Sequence, residues 1–364
     1  MKFISLAFSI IIGITLINAG QITATSKQQQ QESMKGFIQW CQQKKSLPRE
    51  TQLTIDALLK QARTTNCINA EKKLKQEREL FLLSEEISDL RPLSGLTNLT
   101  RLDLSGNRIS DLKPLQSLNN LQVLKLVRNQ ISDLKPLARL TNLRMLVLAA
   151  NQISDMKPLA GLTNLIALYI TNNRISDLKH LQQLTNLEEL YLGGNQISDL
   201  KPLQLLTNLS VLELSYNQIS DLKPLARLTK LEGLILRSNK ISDLKPIARL
   251  TNLKMLSLFD NQISDVKPLA GLINLTELNI FKNQISDVKS LAGLINLTEL
   301  NLSENRISDV TPLKGLKNLG RLYLNKNRIS DIKPLSNLTN LLRLTFSENP
   351  IIDKTCPVKP EICW

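Results

Sequence analysis

Asparagine recurs at Asn107, Asn129, Asn151, Asn173, Asn195, Asn217, Asn239, Asn261, Asn283, Asn305, Asn327 and Asn349, each 22 residues after the last with no insertion. A fixed period of this length marks one small structural unit copied and stacked along a line. This constrains the fold more than length does, since 364 residues alone would suggest two or three ordinary domains. Composition agrees with the repeat. Leucine supplies 75 residues while aromatics make up only 4%. An irregular globular core needs several side-chain shapes, whereas a core of Leu and Ile suits one cavity shape repeated many times.

Around each Asn lies the frame LTNLxxLxLxxNxISDLKPLxx, as in LTNLTRLDLSGNRISDLKPLQS from Leu96 to Ser117. In LxL, alternation places both leucines on one face of a short strand and their neighbours on the other. The Asn leaves the strand in a turn, where its amide can satisfy backbone groups that have lost their ladder partners. ISDLKPL then returns the chain with Ile and Leu inward, and its Asp and Pro suit the start of a short helical turn. No unit can bury its leucines alone. The expected fold is therefore an α/β solenoid, an arc with a concave parallel β-sheet, a short helical N-terminal cap and a disulfide-closed C-terminal cap.

The frame resembles the leucine-rich repeat of the bacterial internalin type, over roughly residues 80–355. The FIQWCQQKKSLP opening and the CPVKPEIC ending are also similar to free-standing secreted repeat proteins of photosynthetic bacteria. The internalin resemblance implies a surface protein that binds a host receptor on its concave face. This chain lacks an added immunoglobulin-like module and a wall anchor, so the resemblance carries over as protein binding rather than as host adhesion.

The ends differ from the frame. Residues 1–24 combine Lys2, an apolar run from Phe3 to about Ile17, and the small residues Ala19, Gly20 and Ala24. This is the pattern of a secretory signal peptide, slightly short for a spanning helix. Cleavage is expected, with an uncleaved membrane anchor as the alternative. No cysteine follows the run to suggest a lipoprotein, and no sorting signal or second apolar segment follows at the C-terminus. The expectation is an exported chain, secreted or periplasmic, with no integral membrane span after cleavage.

Residues 25–79 are read as the helical cap, opening with a Gln-rich lead at 28–31. Phe37, Trp40, Leu53, Leu58 and Leu59 are expected to cover the first unit's open edge. The solenoid spans 80–349 and begins with a degenerate unit, in which Leu80 and Leu82 take the LxL positions but Glu85 replaces the Asn. Residues 350–364 form the C-terminal cap, where Lys354 replaces an inward Leu. Four cysteines permit three pairings. The local one, Cys41–Cys67 with Cys356–Cys363, is expected, against free thiols in a reducing compartment.

Charge is less directive. The formal net charge is +14. The Asp of ISD is present in thirteen units from Asp89 to Asp353, and Lys or Arg stands two residues later in eleven of them. These convex ladders read as turn-starting aspartates beside solvated lysines, so the excess arises in the basic cap and in scattered arginines. No basic groove is interleaved with aromatics, which argues against nucleic acid. The single histidine, His180, takes the place of a convex Pro and reads as a solvated substitution, which argues against His-based metal clusters and a Ser-His-Asp site within this chain. No cofactor and no metal are expected.

The concave positions vary where the core does not. Four residues before each Asn the chain uses nine residue types in twelve places, among them Val147, Tyr169, Tyr191, Glu213, Ile235 and Tyr323. Two before each Asn stand others as varied, among them Val127, Arg237, Phe259 and Phe281. Both sets are read as facing outward. Aromatic residues with Met and Arg are those enriched at protein interfaces. Two clusters result. The first is Val123, Val127, Met145, Val147, Ala149, Tyr169 and Tyr191; the second is Ile235, Arg237, Met255, Phe259 and Phe281.

Glu189, Glu213, Glu277 and Glu299 lie between and beyond them. The alternative reading is ladder packing between neighbouring strands. Glu277 and Glu299 are one repeat apart, about 5 Å by strand spacing, which would suit a retaining glycosidase pair. An open sheet offers no closed pocket to desolvate them, so the expectation is a non-catalytic, monomeric module that binds a protein ligand. Its alternative is an envelope protein that uses its basic surface on acidic glycan.

Overall fold

A computed structural model describes residues 36–353 and 355–363. The expected signal peptide, the Gln-rich lead, the rest of segment 25–35 and Lys354 lie outside the described residues.

Thirteen three-residue strands, from β1 (Glu79–Phe81) to β13 (Arg343–Thr345), form one parallel sheet in strict chain order. Each residue pairs with the one 22 positions on, as in Leu102 with Leu124 and Leu124 with Leu146. The register follows from the frame: a slip by one residue would turn every LxL leucine out to solvent. Those leucines, with the Ile of ISD and the leucines of DLKPL and LTNL, are almost wholly buried in the units from β1 to β12, and in the last unit Phe346 at the second LxL place is half-buried. Burying each is worth about 1.5–3 kcal/mol, and none can be buried without the neighbouring unit.

The return leg is a single 3-10 turn per unit, for example Lys113–Leu115. The Asp two residues before it accepts the backbone N–H of the Lys, with Asp111 Oδ1 at 2.9 Å from Lys113 N. The residue before each Asn has a left-handed backbone, at φ 52° for Arg128 and 55° for Tyr216. This lets the chain turn sharply out of the sheet.

Two amide ladders bind the units together. Asn195 Nδ2 donates to the carbonyls of Leu192 (2.8 Å) and Ile170 (3.1 Å), and its Oδ1 accepts the N–H of Ile175 (3.0 Å). It thus closes its own turn and ties it to the preceding unit. The Asn of LTNL forms a second, more exposed ladder, in which Asn186 Nδ2 donates to the carbonyl of Thr163 one unit back (2.9 Å). Sequence reasoning treats this second Asn only as frame. Where Lys230 replaces it, the lysine instead donates to Asn208 Oδ1 (2.7 Å).

The N-terminal cap is three α-helices, α1 (Phe37–Gln42), α2 (Arg49–Ala62) and α3 (Cys67–Leu74), with Cys41 and Cys67 disulfide-bonded. Phe37, Trp40 and Leu58 are buried as expected, but Leu53 and Leu59 are only half-buried. The inward stripe of α2 is instead Thr51, Thr54, Ile55, Leu58 and Ala62, which recur at the three- and four-residue steps of one helix face. The two threonines serve the first unit: Thr51 Oγ1 donates to Asp89 Oδ2 (2.5 Å) and Thr54 Oγ1 to the Asp89 carbonyl (2.7 Å). Arg91 clasps the same carboxylate and lies 5.3 Å over the Trp40 ring. At the far end Cys356 is bonded to Cys363, and a bridge from Leu344 to Cys363 covers the edge of β13.

Candidate binding face

Three columns of side chains face outward from the concave sheet, at the first and last residue of each strand and at the second residue beyond it. The parallel register places equivalent residues side by side, so sequence neighbours 22 apart become contacts.

In the first cluster Val123 is level with Met145, and Val147 leads through Tyr169 and Tyr191 to Glu213. The rings of Tyr169 and Tyr191 stack with centroids 4.6 Å apart and planes 16° from parallel. The Tyr169 hydroxyl donates to Glu189 Oε2. Burial raises the Tyr169 pKa, and the hydrogen bond to Glu189 with the nearby negative charge raises it further. Tyr191 is shifted the same way, by burial and then by the charges of Glu189 and Glu213. Val123, Val127, Met145 and Val147 are half-buried.

Glu213 has a narrower role than an open contact residue. Its Oε2 accepts the Gly193 N–H (2.9 Å) and its Oε1 the Ser215 N–H (2.8 Å). A Cβ at Gly193 would stand 2.3 Å from the carboxylate, so the glycine makes the room that Glu213 occupies. The outward reading also fails locally, at Asp103 and Thr345 four residues before the Asn, which are buried, and two residues before it. Gly193, Ser215 and Ser303 are buried, because neighbouring side chains close over small residues there.

In the second cluster Phe259 and Phe281 pair with centroids 4.8 Å apart, tilted by 32°. Arg237 is exposed, Met255 is 39% exposed and Ile235 is half-buried. Further along, Tyr323 lies under Arg343, whose guanidinium carbon is 5.9 Å from the ring centroid. Glu277 and Glu299 are level with each other, but Glu299 is held by Arg321 (2.5 Å). The two carboxylates therefore do not form a free pair. Among the described residues no group of His, Cys, Asp or Glu is placed to hold a metal ion.

Sequence reasoning missed Phe81 and Leu83, 40% and 49% exposed, which extend the concave columns onto the first unit. Phe81 is level with Asp103. Counting back from Glu85 at the Asn position would have found both. Also missed is a charge ladder on the rim, where Lys282 pairs with Asp260 (2.7 Å) and Lys326 with Glu304 (2.8 Å).

Comparison with known proteins agrees with this architecture. The family model described as leucine-rich repeats in two copies matches residues 79–117, 119–161, 163–205, 207–249, 251–293 and 295–337. None of the curated proteins matches the chain. Among solved structures, the internalin inlF of Listeria monocytogenes is 35% identical with a TM-score of 0.79, and the match covers 84% of this chain and 92% of that one. A leucine-rich repeat protein of Leptospira interrogans is 27% identical at a TM-score of 0.70, over 81% of this chain and 88% of its own. The ectodomain of the Arabidopsis thaliana receptor kinase GASSHO1/SCHENGEN3, solved with CASPARIAN STRIP INTEGRITY FACTOR 2, is 27% identical at a TM-score of 0.65. That match covers 72% of this chain and 34% of the plant one.

Proposed function

The chain belongs to the leucine-rich repeat family, in its bacterial internalin type, and from that premise we propose that it is an exported, non-catalytic recognition module binding a protein on its concave face. One observation carries the reading. In a chain with 4% aromatics, two ring pairs are set on outward positions that other units fill with Val, Ser, Asn or Thr. The stack does not need them there, and rigid aromatic anchors are what protein interfaces concentrate. The plant ectodomain, seen with a bound partner, shows the same fold in a recognition role.

The proposed contact residues are Val123, Val127, Met145, Val147, Tyr169 and Tyr191 in one cluster, and Ile235, Arg237, Met255, Phe259 and Phe281 in the other, with Tyr323 beyond. Export rests on the pattern of residues 1–24 and on two disulfides, which persist in oxidising compartments. Photo-crosslinking pull-down from the native compartment is the experiment. Captured partners should be lost from Tyr169→Ala/Tyr191→Ala or Phe259→Ala/Phe281→Ala, and capture unchanged by both double substitutions would sink the proposal.

A second reading is favoured by a cleft in the cap. Lys44, Lys45, Lys60 and Arg63 line it with Asp56 as the one carboxylate, beside the Cys41–Cys67 bond. An acidic glycan held there would dissociate steeply as salt rises, whereas an apolar concave contact would barely respond. Retention on a heparin column, compared between the parent and Lys45→Glu/Arg63→Glu, separates the two.

A further inference from the structure

The sign of charge on the concave face runs against that of the molecule. Lys and Arg outnumber Asp and Glu by 46 to 32 in the chain. Yet from β6 (Glu189–Tyr191) to β11 (Glu299–Asn301) the three outward columns carry Glu189, Glu213, Glu277 and Glu299 against a single cation, Arg237. Only Glu299 has its charge met by a neighbouring cation, Arg321. Glu213 is bound by two backbone N–H groups and Glu189 by the Tyr169 hydroxyl, which orient both carboxylates and leave their charge in place. A carboxylate row on a concave wall focuses negative potential where a partner would lie.

The tyrosine pair lies at the β6 end of this stretch and the phenylalanine pair lies within it, beside Glu277. Tyr191 and Phe259 are three strands apart, about 14 Å across the sheet, with Phe259 two residues further along its strand direction, a separation an extended chain spans in about four to five residues. On the reading that this face is the binding site, we infer that its partner is a basic segment in extended form. It would run across the strands, with aromatic or aliphatic anchors about four to five residues apart and Lys or Arg side chains between and beside them. The apolar stems of those cations would lie on Met255 and Ile235, with their charged heads towards Glu189, Glu213 and Glu277.

Bulk electrostatics makes the opposite forecast, since a molecule with a formal charge of +14 should collect acidic peptides. Selection from a random dodecapeptide library displayed on phage, against the immobilised full-length chain, decides between them. Enriched peptides should be richer in Lys and Arg than in Asp and Glu. Their synthetic versions should bind about tenfold more weakly to Glu189→Gln/Glu277→Gln, a change that keeps shape and an acceptor for Tyr169. Enrichment of acidic or neutral peptides that still need Phe259 and Phe281 would overturn the basic-segment inference and leave the concave reading standing. Peptides indifferent to both aromatic double substitutions would overturn both, and a selection yielding no enriched peptide would overturn the inference.

Discussion

The Tyr169 and Tyr191 rings stack at 4.6 Å, nearly the distance between neighbouring strands in a sheet. Parallel pairing in exact 22-residue register sets that distance, so two tyrosines one unit apart need no backbone adjustment to stack. The stack also encloses the Tyr169 hydroxyl against Glu189.

Titration should reveal this. Burial and the Glu189 contact raise the Tyr169 phenol above its ordinary 10.0. Followed at the phenolate absorbance, two of the four tyrosines, Tyr169 and Tyr191, should ionise after an ordinary phenol, and Tyr169→Phe should remove one of those two late steps. The sign for stability follows from the raised folded value. The contribution is full below pH 10.0 and is lost as pH climbs towards the folded pKa, because the unfolded chain releases the proton first. Two late steps that both survive Tyr169→Phe would contradict the assignment.

Gly193 and Glu213 should behave as a unit. Gly193→Ala pushes a methyl into the carboxylate and should destabilise by about 1–3 kcal/mol, as strain and lost hydrogen bonds combine. In Gly193→Ala/Glu213→Ser the methyl fills space the carboxylate has vacated, so the double substitution should cost less than the sum of the singles. Urea unfolding of the four proteins measures this; additivity would show that the two do not interact.

The two amide ladders should differ in worth. Asn195→Ala strips buried bonds to Ile170, Leu192 and Ile175 and should cost about 2–4 kcal/mol. Asn186→Ala removes an exposed bond to Thr163 and should cost about 0.5–1 kcal/mol. Hydrogen exchange adds a local signature, since the Ile175 amide should lose protection only in Asn195→Ala. Equal losses would mean that burial does not decide the ladder's strength.

The disulfides close loops of different length. Cys41–Cys67 spans 26 residues and Cys356–Cys363 spans 7. Chain-entropy reasoning gives about 3–4 kcal/mol for the first and about 2 kcal/mol for the second. Cys41→Ala/Cys67→Ala should therefore lower the unfolding temperature more than Cys356→Ala/Cys363→Ala, as calorimetry would measure. The reverse order would place the weaker end of the solenoid at its C-terminus.

Acid should loosen the N-terminal cap first. Burial pushes the Asp89 pKa up, but bonds from Arg91 and Thr51 outweigh it and hold the carboxyl below its ordinary 3.8. A lowered folded pKa means that the contribution is full above 3.8 and is lost as pH falls through the folded value. Trp40 fluorescence should report the loosening, since Arg91 bridges that ring to Asp89. Asp89→Asn should flatten this acid limb, and an unchanged profile would remove Asp89 from the cap's attachment.

Much was legible without coordinates, because a 22-residue period leaves few choices. Asn107 to Asn349 mark the turns, and the LxL pairs dictate both the strands and their register. The same reasoning found the ring pairs, since residues a whole number of periods apart must be neighbours. It failed where the frame was broken or small residues intervened. Glu85 hid Phe81 and Leu83, and Leu53 was assigned to a helix face that Thr51 and Thr54 in fact take.

The sequence by itself determined the solenoid, its parallel sheet and which side chains stand in line, because periodicity and alternation are properties of order along the chain. Only the tertiary structure decided what each of those side chains is free to do. Glu213 is tied to two backbone N–H groups, Glu299 is met by Arg321, and Ser215 and Ser303 are covered. Those outcomes depend on the size and charge of the residue one unit away, across a spacing of about 5 Å that no pattern within a single unit records.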